Sequence, residues 1–330
     1  MLTIWKNASG CASRLREAAA RPGLALTDPS PTSYVYPPDE DFSRAETPSA
    51  ALEEARAAAK TDEKPPSLWA YPATYLLVGI NVLVFAVMFR YSPALDMIRH
   101  HAGWGILWAP FDGDTLLRFG ASDSGAVLSG QWWRLVTSIF VHVTILHILV
   151  NMWCLWNLGL FGEPLLGRQG LVAVYVLTGW AGMMSSLAWS VLTRQDAMVA
   201  GASGAVFGIA GILIVLLSNR KLSLPWKELR SLRRSVIWFA AINLAFGIVP
   251  RFLPALSGGQ MARLHIDPGS LPRVDNSAHL GGFVCGLALG FPLFPRMTSG
   301  KSSYRARQRV VFALAALLLC LFGYALAKFA

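Results

Sequence analysis

Charge is what this sequence has least of: only 15% of its 330 residues are Asp, Glu, Lys or Arg, against about 25% in soluble domains. With 54% hydrophobic residues and a mean hydropathy of +0.45, that scarcity excludes an ordinary soluble enzyme. Cysteine is scarce too. Cys154, Cys285 and Cys320 fall inside apolar runs, Cys11 stands alone, and no CxxC pair occurs, so neither a disulfide framework nor a zinc site is implied. The first 30 residues lack a continuous apolar core, which argues against a cleaved signal peptide and leaves the first membrane helix to direct insertion with the amino terminus inside. A repeat of fixed period is lacking, as is a matched pair of interrupted helices in two halves, and both absences weigh against a secondary transporter.

What the chain does have is 12 Trp and 29 Gly, residues that suit membrane interfaces and close helix contacts. Crossing the hydrocarbon takes about 20 apolar residues in a helix. Seven runs qualify, near 72–90, 135–158, 170–192, 201–217, 235–253, 276–294 and 308–328. Seven crossings from an internal amino terminus put the carboxyl terminus outside. The formal charge of +10 sits in two segments, 218–235 and 295–309, each with a net excess of five positive charges. Both fall between apolar runs, where they become internal loops under the positive-inside rule, and this placement excludes a nucleic-acid patch. Residues 91–134 and 254–275 are then external. Residues 1–69, rich in Ala, Pro, Ser, Asp and Glu, are expected to form a disordered cytoplasmic tail, with one marginal helix from Ser49 to Lys60. The expected organisation is this tail, a six-helix core over 70–294, and a basic loop with a seventh helix over 295–330.

Strongly polar side chains inside membrane helices are costly and mark functional sites. Here they gather in three runs that all descend from the outer side. The second carries His142, His147 and Asn151, the fourth opens Gly201-Ala202-Ser203-Gly204, and the sixth begins Ala278-His279-Leu280-Gly281-Gly282. His147 and Asn151, four apart, share a helix face. Gly204, Gly208 and Gly211 form one strip and Gly282, Gly286 and Gly290 another, and such strips let helices pack backbone to backbone. If the strips meet, Ser203 and His279 come within reach. A serine becomes a nucleophile when a hydrogen-bonded base takes its proton, a role that neutral His fills. His147, Asn151 and the Ser203 amide then offer donors for an oxyanion, with no cofactor or metal. No third acid is evident, because Asp275, Asn276 or Ser277 serves as the N-cap of the sixth helix.

Taken in order, Trp133-Arg134, His142…His147…Asn151, Gly201-Ala202-Ser203-Gly204 and Ala278-His279…Gly282…Gly286 resemble the motifs of the rhomboid intramembrane serine proteases, over roughly residues 70–294. The resemblance implies an all-α polytopic membrane bundle of six core helices plus one, and a serine endopeptidase acting on transmembrane protein substrates within the lipid bilayer. It implies Ser203 as nucleophile, His279 as general base, an oxyanion hole of His147, Asn151 and the Ser203 amide, and a cavity supported by His142, Gly201, Gly204 and Phe207. The site is expected to open to the non-cytoplasmic side. Phe207 stands where some members have a Tyr stacked on the catalytic His, and the stretch 251–273 is longer than usual. Trp133 and Arg134 are expected to be an interfacial Trp and a snorkelling Arg, and Glu163 a loop-ordering acceptor on the opposite side. The competing readings are an inactive rhomboid-like protein that binds membrane helices, and a transporter using the three His as a relay.

Overall fold

Seven long helical segments account for most of the described residues, and one break rather than a loop separates two of them. The computed structural model describes residues 70–93, 106–218, 226–252, 275–293 and 301–329. The expected tail, most of the stretch 251–273 and parts of both basic segments lie outside the described residues. α1 is Pro72–Tyr91. The short helices α2 (Gly113–Arg118), α3 (Ser124–Leu128) and α4 (Arg134–Thr137) follow. α5 is Ile145–Thr193, α6 Ser203–Leu216, α7 Trp226–Phe252, α8 Asn276–Leu293 and α9 Lys301–Phe329. Three of these, α1, α5 and α9, are long and apolar enough to cross a membrane, and α6 is a shorter apolar helix. The only strands among the described residues are β1 (Ser122–Asp123) and β2 (Met198–Val199), an antiparallel pair.

α5 corrects two expectations. It runs 49 residues through the expected inner loop around Gly162 to Gly167, broken only at Gly167, whose φ of 74° lies in the region that glycine adopts freely. The break turns one helix into two passes. Beside it the Leu166 carbonyl accepts a hydrogen bond of 2.9 Å from Gln308 Nε2 of α9, and a side chain at Gly170 would meet that amide. Glu163, buried within the same run, accepts from the backbone N–H of Ala73 (3.1 Å) and Thr74 (2.9 Å) and from the Thr74 hydroxyl (2.8 Å). It caps the first turn of α1, where N–H groups have no intrahelical partner. The second run also starts later than expected. Residues 134–140 form α4 and a single 3-10 turn, and the helix begins only at Ile145, with Thr144 Oγ1 accepting from the His147 N–H at 3.0 Å. His142 is therefore not on the helix.

α6 lies at the centre. Every residue from Gly204 to Leu213 is buried, as befits a helix that is apolar all round. Its 14 residues span only about 21 Å, less than the hydrocarbon thickness of about 30 Å, so one end stops inside the apolar layer. α8 packs along it backbone to backbone. A side chain added at Gly282 would strike the Gly204 carbonyl, and one at Gly286 the Gly208 carbonyl. The second half of α5 closes the group from a third side, with Gly182 against the Ala278 carbonyl and Gly208 against Thr178.

Candidate active site

The turn into α6 is built by the irregular segment 138–142. Gly201 takes φ 132°, a conformation that side chains resist, and its N–H donates to the Ser138 carbonyl at 2.9 Å. A Cβ there would also lie 2.7 Å from His147 Cε1 and 2.8 Å from Nε2, so glycine is required twice over. His142, fully buried, spans the same two segments. Its Nδ1 is 3.3 Å from the Phe140 carbonyl, and its Nε2 accepts from the Ala202 N–H at 3.4 Å. One neutral tautomer, with the proton on Nδ1, makes both bonds. His142 therefore holds the backbone that precedes Ser203.

Ser203 opens α6, half-buried. His279 lies one turn into α8, and its Nε2 is 2.8 Å from Ser203 Oγ. The Phe207 ring stacks on the imidazole with centroids 4.5 Å apart and planes 23° from parallel. His279 is 8% exposed, and its Nδ1 has no hydrogen-bond partner among the described residues. Asp275 does not reach it. That carboxylate caps α8, accepting from the N–H of Ser277 (2.9 Å) and Ala278 (3.2 Å), from the Ser277 hydroxyl, and from the Ser186 hydroxyl of α5.

His147 stands beside Gly201, its ring edge-on to His142 at 5.1 Å. The Val143 N–H points at its Nδ1 across a long 3.5 Å, an arrangement that favours the proton on Nε2, the nitrogen facing Gly201. Asn151, buried one turn on, donates through Nδ2 to the His147 carbonyl at 2.9 Å. An amide nitrogen carries two hydrogens, so one remains to serve a ligand. Ser203, His279, Phe207, Gly204, Gly201, His142 and His147 are thus neighbours in one chain of contacts, and Asn151 joins it through His147. Among the described residues no group of three His, Cys, Asp or Glu could hold a metal ion.

Sequence reasoning missed several supports. Asn81 and Tyr175, both fully buried, hydrogen-bond across α1 and α5 at 2.9 Å, and the Tyr175 hydroxyl is 3.5 Å from the Ile139 carbonyl, next to Ser138. A lone Asn inside an apolar run was the available signal. Gly182 and Ser186 were legible as part of a small-residue strip with Gly179. Arg134 does not snorkel. It is buried, donating to the carbonyls of Leu117 (2.7 Å) and Ala121 (3.0 Å) and to Gln131 Oε1 (2.7 Å), while Trp133 is exposed beside it.

Residues 129–296, just over half of the chain, match the family model described as the Rhomboid domain. The chain belongs to the rhomboid family. It is 30% identical over 224 residues to rhomboid protease GluP of Bacillus subtilis, covering 66% of this chain and 35% of that protein. It is 31% identical over 211 residues to rhomboid-like protease 2 of Toxoplasma gondii, covering 63% and 65%. With RHOMBOID-like protein 5 of Arabidopsis thaliana it shares 32% over 187 residues, covering 56% and 52%. The chain thus spans between about one third and two thirds of the length of these relatives. This rhomboid is an integral membrane protein whose apolar helices form a helical bundle, and the matched domain contains the whole Ser203–His279 cluster.

Proposed function

We propose that this rhomboid is a serine endopeptidase that cuts membrane proteins in or next to their transmembrane segments, with Ser203 and His279 as a catalytic dyad. The observation that carries the reading is the 2.8 Å approach of His279 Nε2 to Ser203 Oγ, reinforced by two relatives that bear protease names. His279 takes the hydroxyl proton on Nε2 as Ser203 Oγ attacks the scissile carbonyl carbon, and the carbonyl oxygen becomes the oxyanion. The Ser203 amide, His147 Nε2–H and the free Asn151 N–H donate to it. Collapse breaks the C–N bond, and His279 returns the proton to the leaving amine. Water then adds to the ester, its proton going to His279, and as the ester C–O bond breaks His279 returns that proton to Ser203 Oγ. Only side chains, backbone and water take part. A helical substrate must unwind locally to present its backbone. In this reading residues 1–69 form an internal tail, residues 70–294 the protease core and residues 295–330 an appended helix, with the site opening to the non-cytoplasmic side.

The test is covalent labelling of the purified protein by a fluorophosphonate probe. Wild type is expected to label, and Ser203→Ala and His279→Ala to remain blank. Equal labelling of Ser203→Ala and wild type removes Ser203 from the mechanism. A folded wild type that does not label at all favours an inactive, helix-binding member instead.

A further inference from the structure

α7 is the least embedded of the central helices. Among its described side chains only Leu229, Val236 and Ala240 are buried. Between it and α6 and α8 lies a cavity of about 420 Å³. α7 contributes Ile237, Ala240, Ala241 and Leu244 to the wall, and Phe207 and His279 are among the residues opposite. Apart from His279 the lining is apolar. Ile237 and Leu280, both lining residues, are 43% and 54% exposed, so the cavity opens sideways onto the outer surface of the helix bundle.

The same face of α7 continues below the cavity with a different chemistry. Trp226, Arg230, Arg233, Ile237, Ala240 and Leu244 recur at steps of four, three, four, three and four, which keeps them on one stripe of a helix. The guanidinium groups of Arg230 and Arg233 lie 5.7 and 5.8 Å from the Trp226 ring centroid, so both cations gather on one side. Arg233 also donates to Ser218 Oγ at 3.0 Å, which leaves further donors on its guanidinium. Glu228, the one acid from 226 to 234, occupies a position on the opposite side of the helix by the same spacing. From Arg233 to Leu244 the helix rises about 16 Å, close to half the roughly 30 Å hydrocarbon thickness, which is the reach of one leaflet's acyl chain.

We propose that this stripe is a binding site for one anionic phospholipid, its phosphate held by Arg230 and Arg233 with Trp226 at the interface, and one acyl chain lying in the cavity. The two halves of the stripe complement the two halves of such a lipid. Arginine pairs with phosphate through its fork of donors, and the apolar channel lies where the chain must go. A chain seated there fills the space behind Phe207 and His279. The site stands whether or not the protein cuts peptides.

Native mass spectrometry of the delipidated, full-length protein tests it, with phosphatidylglycerol and phosphatidylcholine of identical acyl chains in competition. One phosphatidylglycerol per chain is expected to be retained, with a preference of about tenfold or more, and Arg230→Gln should cut that preference about fivefold. Ala241→Phe should expel the lipid although every arginine remains, and dihexanoyl phosphatidylglycerol should bind far more weakly than the long-chain lipid to wild type. No preference for the anionic lipid overturns the proposal. So does retention that Ala241→Phe leaves unchanged, or short-chain binding as tight as long-chain, since either reduces the effect to diffuse charge attraction. The chain-length comparison uses wild type alone, so it decides even if Ala241→Phe fails to fold.

Discussion

At the scale of single residues, the decisive geometry is a serine hydroxyl, an imidazole and a phenyl ring in sequence, with no hydrogen-bond partner for Nδ1 of His279 among the described residues. An imidazole without a third partner depends on stacking for its orientation. Offset aromatic stacking contributes about 0.5–1.5 kcal/mol, so Phe207→Ala should slow fluorophosphonate labelling about two- to tenfold. Phe207→Tyr keeps the face and should label at the wild-type rate. Equal rates for all three proteins would show that the ring is mere filler. The pairing of Ser203 with His279 was legible from residue type and helix spacing, because both sit beside glycine strips. The role of His142 was not, since its two bonds go to backbone atoms of a turn that no periodicity describes.

At the scale of elements, α6 and α8 are joined by atoms of the backbone itself. No side chain intervenes where Gly282 meets Gly204 and Gly286 meets Gly208. Overpacking a tight interior costs about 1–3 kcal/mol even when neighbours can shift, and carbonyl groups of a helix shift little. Gly286→Val is therefore expected to lower the melting temperature in detergent sharply and to abolish labelling with it. A variant that melts with wild type would mean that the two helices are not in contact there. This contact was readable as a pair of i, i+4 strips. The late start of α5 was not. Residues 135–144 are as apolar as a helix, yet their carbonyls are spent on Gly201, His142 and Tyr175, a tertiary use of the backbone that composition does not reveal.

At the scale of the whole molecule, each of the seven apolar runs coincides with helix among the described residues, and the two boundaries that failed are the start of the second run and the link between the second and third. Two glycines and an acid read there as a loop. In the folded protein Glu163 serves α1 and the helix continues to Gly167. Long-range partners decide such details, and they are invisible in a local window. α9 is held to this region by Gln308, which is buried against Leu166 and Gly170. Removing one partner of a buried hydrogen bond costs about 1–3 kcal/mol, so Gln308→Leu should lower the unfolding temperature while Gln308→Asn gives an intermediate loss. An unchanged midpoint for Gln308→Leu would mean that the bond contributes nothing.

The bond between Leu166 and Gln308 joins residues 142 apart in sequence. At about 5–20 residues per second, a ribosome needs on the order of 10–30 s to supply the amide after the carbonyl has been made. During that interval the Leu166 carbonyl beside the break in α5 lacks this partner. Synthesis of α9 therefore sets the earliest moment at which this break can be sealed, which ties the completion of one helix junction to a segment made well after it.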